Sequence, residues 1–385
     1  MDYQMITSDE ALAEFCQTIA SADYCVIDTE FVREKTYYPI LSLIQIATEQ
    51  QMGCIDPLAI KNFEPLAKLM QKTDMLKVFH SPSQDLEILY QQFGEVPTPV
   101  FDTQLAAAVI GYTHQMSYAD LVFEITGVQL EKKHTRADWS RRPLSDDELD
   151  YAMDDVRYLL PVYQNLRETL VAKNRLSWIE KDLEVMSHAA TYDVDFANLW
   201  QRLKGVQKLR GEQLQIASEL CQWREQVAQK KDRPRRWIVA DDWIIDIARK
   251  KPTSNEDLAT IRGMTEKVIE RYGRVFLEIV DKAMKVDAKL WPQPKKPQPL
   301  SVHQQALGDC LMALSRVIAD ENNIAMGTFA TRKDIDDLIV NRKTSRLAQG
   351  WRFTMGGEQL LDFIHGQLLL GIEDDRLQTC PRKAS

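Results

Sequence analysis

The first half of the chain alternates short apolar runs with segments in which apolar residues recur at helical spacing. Apolar runs bounded by polar sequence are typical of buried strands. Four are predicted as strands: Cys25–Asp28, Leu41–Ala47, Met52–Ile55 and Leu76–Phe79. Helices are predicted to begin at Ser8, Ser83, Asp102, Ser117 and Ser145, because Ser and Asp cap the free N–H groups of a first helical turn. This alternation predicts an α/β layer fold.

The second half of the chain has few strand signals. Leu209, Leu214, Leu220 and Trp223 recur at helical spacing, and helical periodicity resumes after a proline-rich stretch that favours an extended spacer. The predicted organisation is a first domain over 1–195, a helical domain over 206–290, a proline-rich linker over 291–300, a second helical domain over 301–372 and a mobile tail over 373–385.

Bulk composition narrows the class of protein. A chain of 385 residues, 44% of them hydrophobic, is expected to form two or three globular domains. The six cysteines form no CxxC pair, no secretory signal is visible at the N-terminus, and no apolar run approaches the ~18 residues of a membrane span. We therefore expect a cytoplasmic protein without a membrane partner. The absence of a Walker loop and of GxGxxG gives no indication of a nucleotide cofactor.

Carboxylates at the ends of predicted elements are the main candidates for chemistry. Asp28 and Glu30 close a buried strand, where two carboxylates one residue apart are costly unless a cation neutralises them. Asp85 follows another strand, while Tyr151 and Asp155 lie four residues apart and therefore share one helix face. Carboxylate oxygens suit Mg²⁺ or Mn²⁺, and two such ions about 4 Å apart can cleave a phosphodiester.

Charge and aromatic residues suggest a nucleic-acid contact elsewhere. The net charge is −9, but residues 201–251 carry 13 Lys and Arg against 7 Asp and Glu. Within them, Lys230–Trp237 joins five cations, including Arg235 and Arg236, to an aromatic ring, a composition suited to phosphate contact and base stacking. A solvated loop is the alternative interpretation.

Three further residues are candidate nucleic-acid contacts. Phe31 is either a stacking platform for a terminal base or a core residue. Gln45 lies inside an apolar strand and is either a substrate contact or a buried, hydrogen-bonded amide. His80 is either a substrate contact or a core histidine that supports the site.

These motifs together resemble the DEDD exonuclease superfamily in its tyrosine-containing branch. The resemblance rests on Asp28–Phe31, His80 to Leu86, Phe101–Thr103 and Tyr151-x-x-x-Asp155, and Ala137–Leu144 is similar to bacterial ribonuclease D. The helical segments resemble the helicase-and-ribonuclease-D C-terminal (HRDC) domain, through Trp223-Arg224 and Ile261–Gly263 in the first segment. The resemblance implies a ribonuclease-H-like domain, with a mixed sheet flanked by helices, followed by two small all-α domains.

The same resemblance implies a site and an activity. Asp28, Glu30, Asp85 and Asp155 match the four metal-binding acids, and Tyr151 matches the tyrosine that positions water. Since the family places its tyrosine four residues before the acid, Asp155 rather than Asp154 is the implied ligand. The implied enzyme is a monomeric 3′→5′ exoribonuclease that uses two divalent ions, Mg²⁺ or Mn²⁺. It releases nucleoside 5′-monophosphates from RNA with a single-stranded 3′ end, such as transfer RNA precursors and other small structured RNAs.

Two alternatives stay open at this point. A DNA 3′→5′ exonuclease would use the same metal site, because discrimination depends on contacts to the 2′-hydroxyl. A catalytically inactive RNA-binding adaptor could keep the fold, although the presence of all four acids and Tyr151 argues against it.

Overall fold

The structure, a computed structural model, describes residues 2–131, 133, 137–294 and 299–382. The chain divides into two compact units, each built from separate segments. The first, here called the sheet unit, comprises Met1–Glu30, Leu41–Thr191 and Gln298–Ser385. The second, the helical unit, comprises Phe31–Ile40 and Tyr192–Pro297.

A six-stranded sheet in the order β1-β4-β3-β2-β5-β6 organises the fold. Its strands are β1 (Gln4–Ile6), β2 (Tyr24–Val32), β3 (Ile40–Ala47), β4 (Met52–Ile55), β5 (Leu76–Phe79) and β6 (Val100–Asp102). β1 is parallel to β4, β5 is parallel to both β2 and β6, and β3 is antiparallel to β4. The mixed sheet predicted for the first domain is therefore confirmed. β1 and β6 were not predicted, because three residues are too few to show a strand period.

Eight helices accompany the sheet in the described part of residues 1–191: α1 (Asp9–Ile19), α2 (Glu64–Met70), α3 (Ser83–Phe93), α4 (Thr103–Ile110), α5 (Tyr118–Thr126), α6 (Asp146–Arg157), α7 (Leu159–Ala172) and α8 (Ser177–Met186). The predicted caps Ser8, Asp102, Ser117 and Ser145 accept hydrogen bonds from their first turns. Ser83 differs: it is the first helical residue, and the capping position is Pro82. Asp102 thus caps α4, as predicted.

The helical unit contains α9 (Glu212–Lys231), α10 (Arg235–Ile238), α11 (Asp241–Lys250), α12 (Asn255–Ala259) and α13 (Glu266–Met284). The segment Phe31–Ile40 belongs to this unit: the Tyr37 hydroxyl bonds the buried Glu225, and Asp232 accepts from the Tyr37 and Tyr38 N–H groups at 2.9 and 3.0 Å. The first domain expected over 1–195 is therefore interrupted. Sequence periodicity could not show this, because the partners lie almost 200 residues apart.

A second helical segment belongs to the sheet unit and contains α14 (Val302–Glu321), α15 (Met326–Phe329), α16 (Arg332–Asn341), α17 (Gly350–Arg352) and α18 (Glu358–Ile364). It packs against α8, where the Trp178 and Trp351 rings stack at 4.6 Å with 2° between their planes. Arg175 also donates to the Asn322 carbonyl at 2.7 Å. The last turn before α18 is a short π-helical stretch, Phe353–Gly357.

The expectation of a mobile tail from residue 373 is wrong over most of its length. β7 (Leu368–Glu373) and β8 (Arg376–Pro381) form an antiparallel hairpin. Its turn places Asp374 and Asp375 at positive φ, 49° and 61°. Such turns are usually marked by Asn-Gly or Asp-Gly, and because this one is Asp-Asp, the sequence did not indicate a hairpin. Residues 383–385 of the predicted tail and 295–298 of the predicted linker lie outside the described residues. Among the residues that are described, no helix is long and apolar enough to cross a membrane.

Candidate active site

Three carboxylates from two elements meet at the centre of the sheet unit. Asp28 and Glu30 lie two residues apart on β2 and therefore point to the same face of the sheet. α6 places Asp155 against that face, and single carboxylate oxygens of Asp28, Glu30 and Asp155 all lie within 4.8 Å of one another. Longer than predicted, β2 continues to Val32, so Glu30 is held within regular strand geometry.

Asp85 approaches the same carboxylates from α3, which begins shortly after β5. Its Oδ1 accepts a hydrogen bond of 2.5 Å from the hydroxyl of Thr29, the residue between Asp28 and Glu30. The negative charge of Asp85 also raises the pKa values of Asp28, Glu30 and Asp155. The four predicted acids are thus brought together, with Asp85 outside the tight group of three.

The electrostatics of the cluster are unfavourable without a cation. Burial is the main cause of each shift. The charges of neighbouring carboxylates add to it for Asp28, Glu30 and Asp155, whereas for Asp85 the hydrogen bond from Thr29 opposes it and the charge of Asp102 adds to it. The pKa of Glu30 rises to about 8, that of Asp155 to about 7 and that of Asp85 to about 6, while the pKa of Asp28 is raised well above its usual range. A cluster of this kind favours a bound cation, because positive charge would return the carboxylates to their ionised form.

The donor set fits a hard divalent ion. The group of potential ligands consists of carboxylates alone, and in the described part of the chain neither a histidine nor a cysteine belongs to it. Oxygen donors suit Mg²⁺, Mn²⁺ or Ca²⁺, whereas zinc sites usually include nitrogen or sulfur.

Tyr151 lies one helical turn before Asp155 on α6. Burial and the charges of Asp155, Glu30 and Asp28 raise the pKa of Tyr151 to about 12. Its hydroxyl is therefore protonated at neutral pH and able both to donate and to accept a hydrogen bond. The Trp139 ring stacks on the Tyr151 ring, with centroids 6.2 Å apart and 25° between the planes.

The side chains of Asp154 and Asp155 have different partners in the structure. The Asp154 carboxylate forms an ion pair with Arg157, one turn along α6, and its backbone carbonyl accepts from the buried Tyr118 hydroxyl at 2.9 Å. Asp155 is the member of the pair that joins Asp28 and Glu30. Sequence reasoning missed Tyr118 and Trp139, although an aromatic residue within the polar stretch Asp138–Arg142 was a usable signal.

A cavity of about 500 Å³ adjoins Asp155, within the range of small-molecule sites. Its lining includes Tyr118, Val128, Leu130, Tyr151, Asp155 and Tyr158. The cavity combines aromatic and aliphatic surface with the reactive carboxylate, which suits a base or ribose next to a phosphate. Lys133 also lines it, but its ammonium is paired with Glu131, and Asp147, Asp150 and Asp154 add further acidic groups to the wall.

Two predicted RNA contacts lie in the protein interior. Gln45 is 0% exposed, which favours the buried amide over a substrate contact. The expected hydrogen bonds of that amide are missing, because neither of its polar atoms has a partner among the described residues. The His80 ring nitrogens lie 3.0 Å from the Thr103 hydroxyl and 3.2 Å from the Met116 carbonyl. Burial lowers the pKa of His80 to about 4, so the ring is neutral and acts as a structural link.

The other three predicted RNA contacts belong to the helical unit. Phe31 follows Glu30 directly on β2 and is half-buried. Arg235 bonds Glu225 through two nitrogens, so the charge of its guanidinium is largely neutralised by a buried carboxylate. Arg236 has a side chain 76% exposed and forms one ion pair, to Asp241 at 3.2 Å.

Comparisons of the sequence and of the structure with known proteins point to the same family. Residues 3–171 match the family model described as 3′-5′ exonuclease, and residues 213–280 match the HRDC domain. Ribonuclease D of Sphingobium indicum is 35% identical over 381 residues, covering 98% of both chains, and that of Pseudomonas paraeruginosa is 32% identical, covering 94% and 97%. The crystal structure of Escherichia coli RNase D, described as an exoribonuclease involved in structured RNA processing, superposes with a TM-score of 0.84 at 30% identity, covering 95% of this chain and 99% of that one.

Proposed function

Because this chain belongs to the ribonuclease D family and is a metal-dependent 3′→5′ exoribonuclease, we propose that it matures the 3′ ends of transfer RNA precursors and other small structured RNAs. The observation that carries the proposal is the convergence of Asp28, Glu30 and Asp155 within 4.8 Å, beside a cavity of about 500 Å³. The proposed protein is a monomer that acts in the cytoplasm, consistent with its six free cysteines.

The proposed chemistry assigns a separate task to each group. Asp28, Glu30, Asp85 and Asp155 hold two divalent ions, Mg²⁺ or Mn²⁺. When bound, such ions activate water and stabilise the leaving oxygen of a phosphodiester. Tyr151 orients the attacking water, since a neutral hydroxyl can accept one of its protons as a hydrogen bond while leaving an oxygen lone pair free to attack. The product is a nucleoside 5′-monophosphate.

The cavity beside Asp155 supports removal of terminal nucleotides one at a time. Its aromatic walls, which include Tyr118 and Tyr158, can accept a terminal base. A base-paired end would have to be unstacked first, which costs a few kcal/mol. We therefore propose a single-stranded 3′ tail as the reacting part of the substrate.

The helical unit, with residues 206–290 as an HRDC-type domain, is proposed to hold the body of the RNA. Residues 301–372, which lie in the sheet unit, are proposed as a divergent second HRDC-like domain. Trp237 is 60% exposed, and the Arg233 guanidinium lies 6.0 Å from its ring centre. Together with the exposed Arg236, these side chains offer phosphate contacts and a stacking surface. Arg235 is left out of this interface because Glu225 already binds it.

The test of function is digestion of a transfer RNA precursor with a 3′ extension. Matched RNA and DNA oligomers, each with a free or blocked 3′ end, serve as controls, with Mg²⁺, Mn²⁺ or a chelator. We expect stepwise shortening of RNA with a free 3′ end, release of 5′-monophosphates and arrest near the folded acceptor stem. Equal rates on the DNA oligomer, or cleavage of blocked RNA, would contradict the proposal.

The number of ions is tested separately by titrating Mn²⁺ into the protein in a calorimeter. We expect two ions for the unmodified protein and a loss of affinity in Asp155→Asn. The matched control is Asp74→Asn, which removes an exposed carboxylate paired with Lys72 and should not change the titration. A stoichiometry of one, or an unchanged titration in Asp155→Asn, would refute the two-ion site.

A further inference from the structure

All the side-chain N–H groups of Arg142 donate hydrogen bonds to other groups of the protein. Nε and Nη2 each donate to one oxygen of Asp56 at 2.7 Å, and Nη2 also donates to the Ser42 carbonyl at 2.7 Å. Nη1 donates to the Trp139 carbonyl at 2.7 Å and to the Arg141 carbonyl at 2.8 Å. A guanidinium with five donors committed in this way cannot serve as a phosphate contact; it fixes backbone.

Asp56 is the buried anchor of this arrangement. It follows β4 directly, and Ser42 lies on the neighbouring β3, so Arg142 is tied to two adjacent strands of the sheet. Burial raises the pKa of Asp56, but the hydrogen bonds and charge of Arg142 outweigh that effect and hold the pKa below its usual value. The ion pair is therefore intact at neutral pH.

The backbone that Arg142 fixes carries Trp139, whose ring is only 3% exposed and stacks on Tyr151. The neighbouring residue, Arg141, fixes the same segment, residues 139–142, to α6. Arg141 Nη2 lies 3.0 and 2.9 Å from the two oxygens of Glu148, which also accepts from the Ser145 N–H at 2.8 Å in a capping box. Tyr151 follows Glu148 by three residues on α6. The segment therefore contacts both the helix that carries Tyr151, through Arg141, and the Tyr151 ring, through Trp139.

We propose that Asp56, Arg142 and Trp139 form a positioning clamp that sets the direction of the Tyr151 hydroxyl. The clamp acts through the tyrosine and does not touch the reacting phosphate. This inference rests on the proposed role of Tyr151 in orienting water. Small errors in the position of such a group are costly, because a displacement of 1 Å can lower a rate about 10²-fold.

The decisive experiment is a double-mutant cycle between Trp139 and Tyr151, measured as the single-turnover rate on a short unstructured RNA at saturating protein. We expect Trp139→Leu to lower the rate about 10- to 10²-fold without weakening RNA binding, and Trp139→Phe, which keeps a flat ring, to retain most of the rate. In a Tyr151→Phe background, Trp139→Leu should have almost no further effect, because the hydroxyl that the clamp directs is already absent.

A second variant tests the anchor without altering either aromatic ring. Arg142→Lys cannot maintain both bonds to Asp56 together with the carbonyl contacts, so it should lower the rate in the same non-additive way. Its matched control is Arg224→Lys in the helical unit, where Arg224 also joins a buried carboxylate, Asp241, to a carbonyl, that of Val239. That control should keep the rate on the short RNA.

The outcomes separate this inference from the proposed function. If Tyr151→Phe lowers the rate but the Trp139 and Arg142 variants do not, the clamp is refuted and the role of Tyr151 stands. If the effects of Trp139→Leu and Tyr151→Phe multiply, Trp139 has a general structural role and the clamp is again refuted. An unchanged rate in Tyr151→Phe would instead refute the proposed role of the tyrosine.

Discussion

Replacing Asp155 with asparagine should stabilise the metal-free protein at pH 8. Burial and repulsion raise the pKa of the Asp155 carboxyl from 3.8 to about 7, and a rise of that size corresponds to about 4 kcal/mol at a pH above both values. Asp154 and Asp85 supply the repulsion that acts on Asp155, and the Asp155 charge in turn raises the pKa values of Asp28 and Glu30. We therefore expect the variant to gain about 2–4 kcal/mol in free energy of unfolding.

The pH dependence of this gain follows from the direction of the shift. Between about pH 4 and pH 7 the native protein holds the Asp155 proton while the unfolded chain has lost it, so the free energy of unfolding falls as the pH rises. The raised pKa of Glu30, about 8, extends the same trend to higher pH. The advantage of Asp155→Asn should therefore be largest at pH 8 and disappear near pH 4.

Urea unfolding in a chelator, followed by circular dichroism at pH 8, pH 6 and pH 4, measures the gain directly. Asp74→Asn is the control, because the carboxylate it removes is exposed and contributes little to stability. Adding Mg²⁺ at pH 8 should stabilise the unmodified protein more than the variant. If Asp155→Asn is less stable than the unmodified protein at pH 8 without metal, repulsion between the carboxylates does not destabilise the metal-free site.

Three further outcomes are expected. Tyr151→Phe should lower the single-turnover rate about 10²–10⁴-fold while RNA affinity, measured by filter binding, stays unchanged; weaker binding at an unchanged rate would assign Tyr151 to base stacking. Asp154→Asn should retain Mn²⁺ binding in a calorimetric titration, whereas Asp155→Asn should lose it, and the reverse result would show that the wrong aspartate was chosen. Combining Arg236→Ala with Trp237→Ala should weaken binding of structured RNA and lower the slope of log affinity against log salt by about 1, with little effect on a short oligomer; equal loss on both substrates would remove the proposed RNA-body contact.

Local sequence signals predicted the elements that carry the carboxylates. The β-branched run before Asp28 and the Ser145-to-Glu148 capping box lie in the chain itself, so a strand and a helix could be expected at those places. The spacing of Tyr151 and Asp155 then placed both on one helix face. Such patterns depend on neighbours within a few residues, which is why they can be read without a structure.

Features that depend on distant partners were not predictable in this way. Arg235 lies in a basic stretch, yet its charge is neutralised by Glu225, ten residues earlier in the chain and buried. Gln45 gives no sign in the sequence that its amide is enclosed without a partner among the described residues. The bond from Arg142 to Asp56 spans 86 residues, and no local period records it.

The interrupted layout of the two units has a consequence for synthesis on the ribosome. The partner of Tyr37, Glu225, follows it by 188 residues in the chain, and ribosomes add about 5–20 residues each second. The segment Phe31–Ile40 must therefore wait about 10–40 s after it emerges before the helices that receive it exist. Release of a fragment that ends before α9 would leave this segment without Glu225 and Asp232, the partners that hold Tyr37 and Tyr38 in the finished protein.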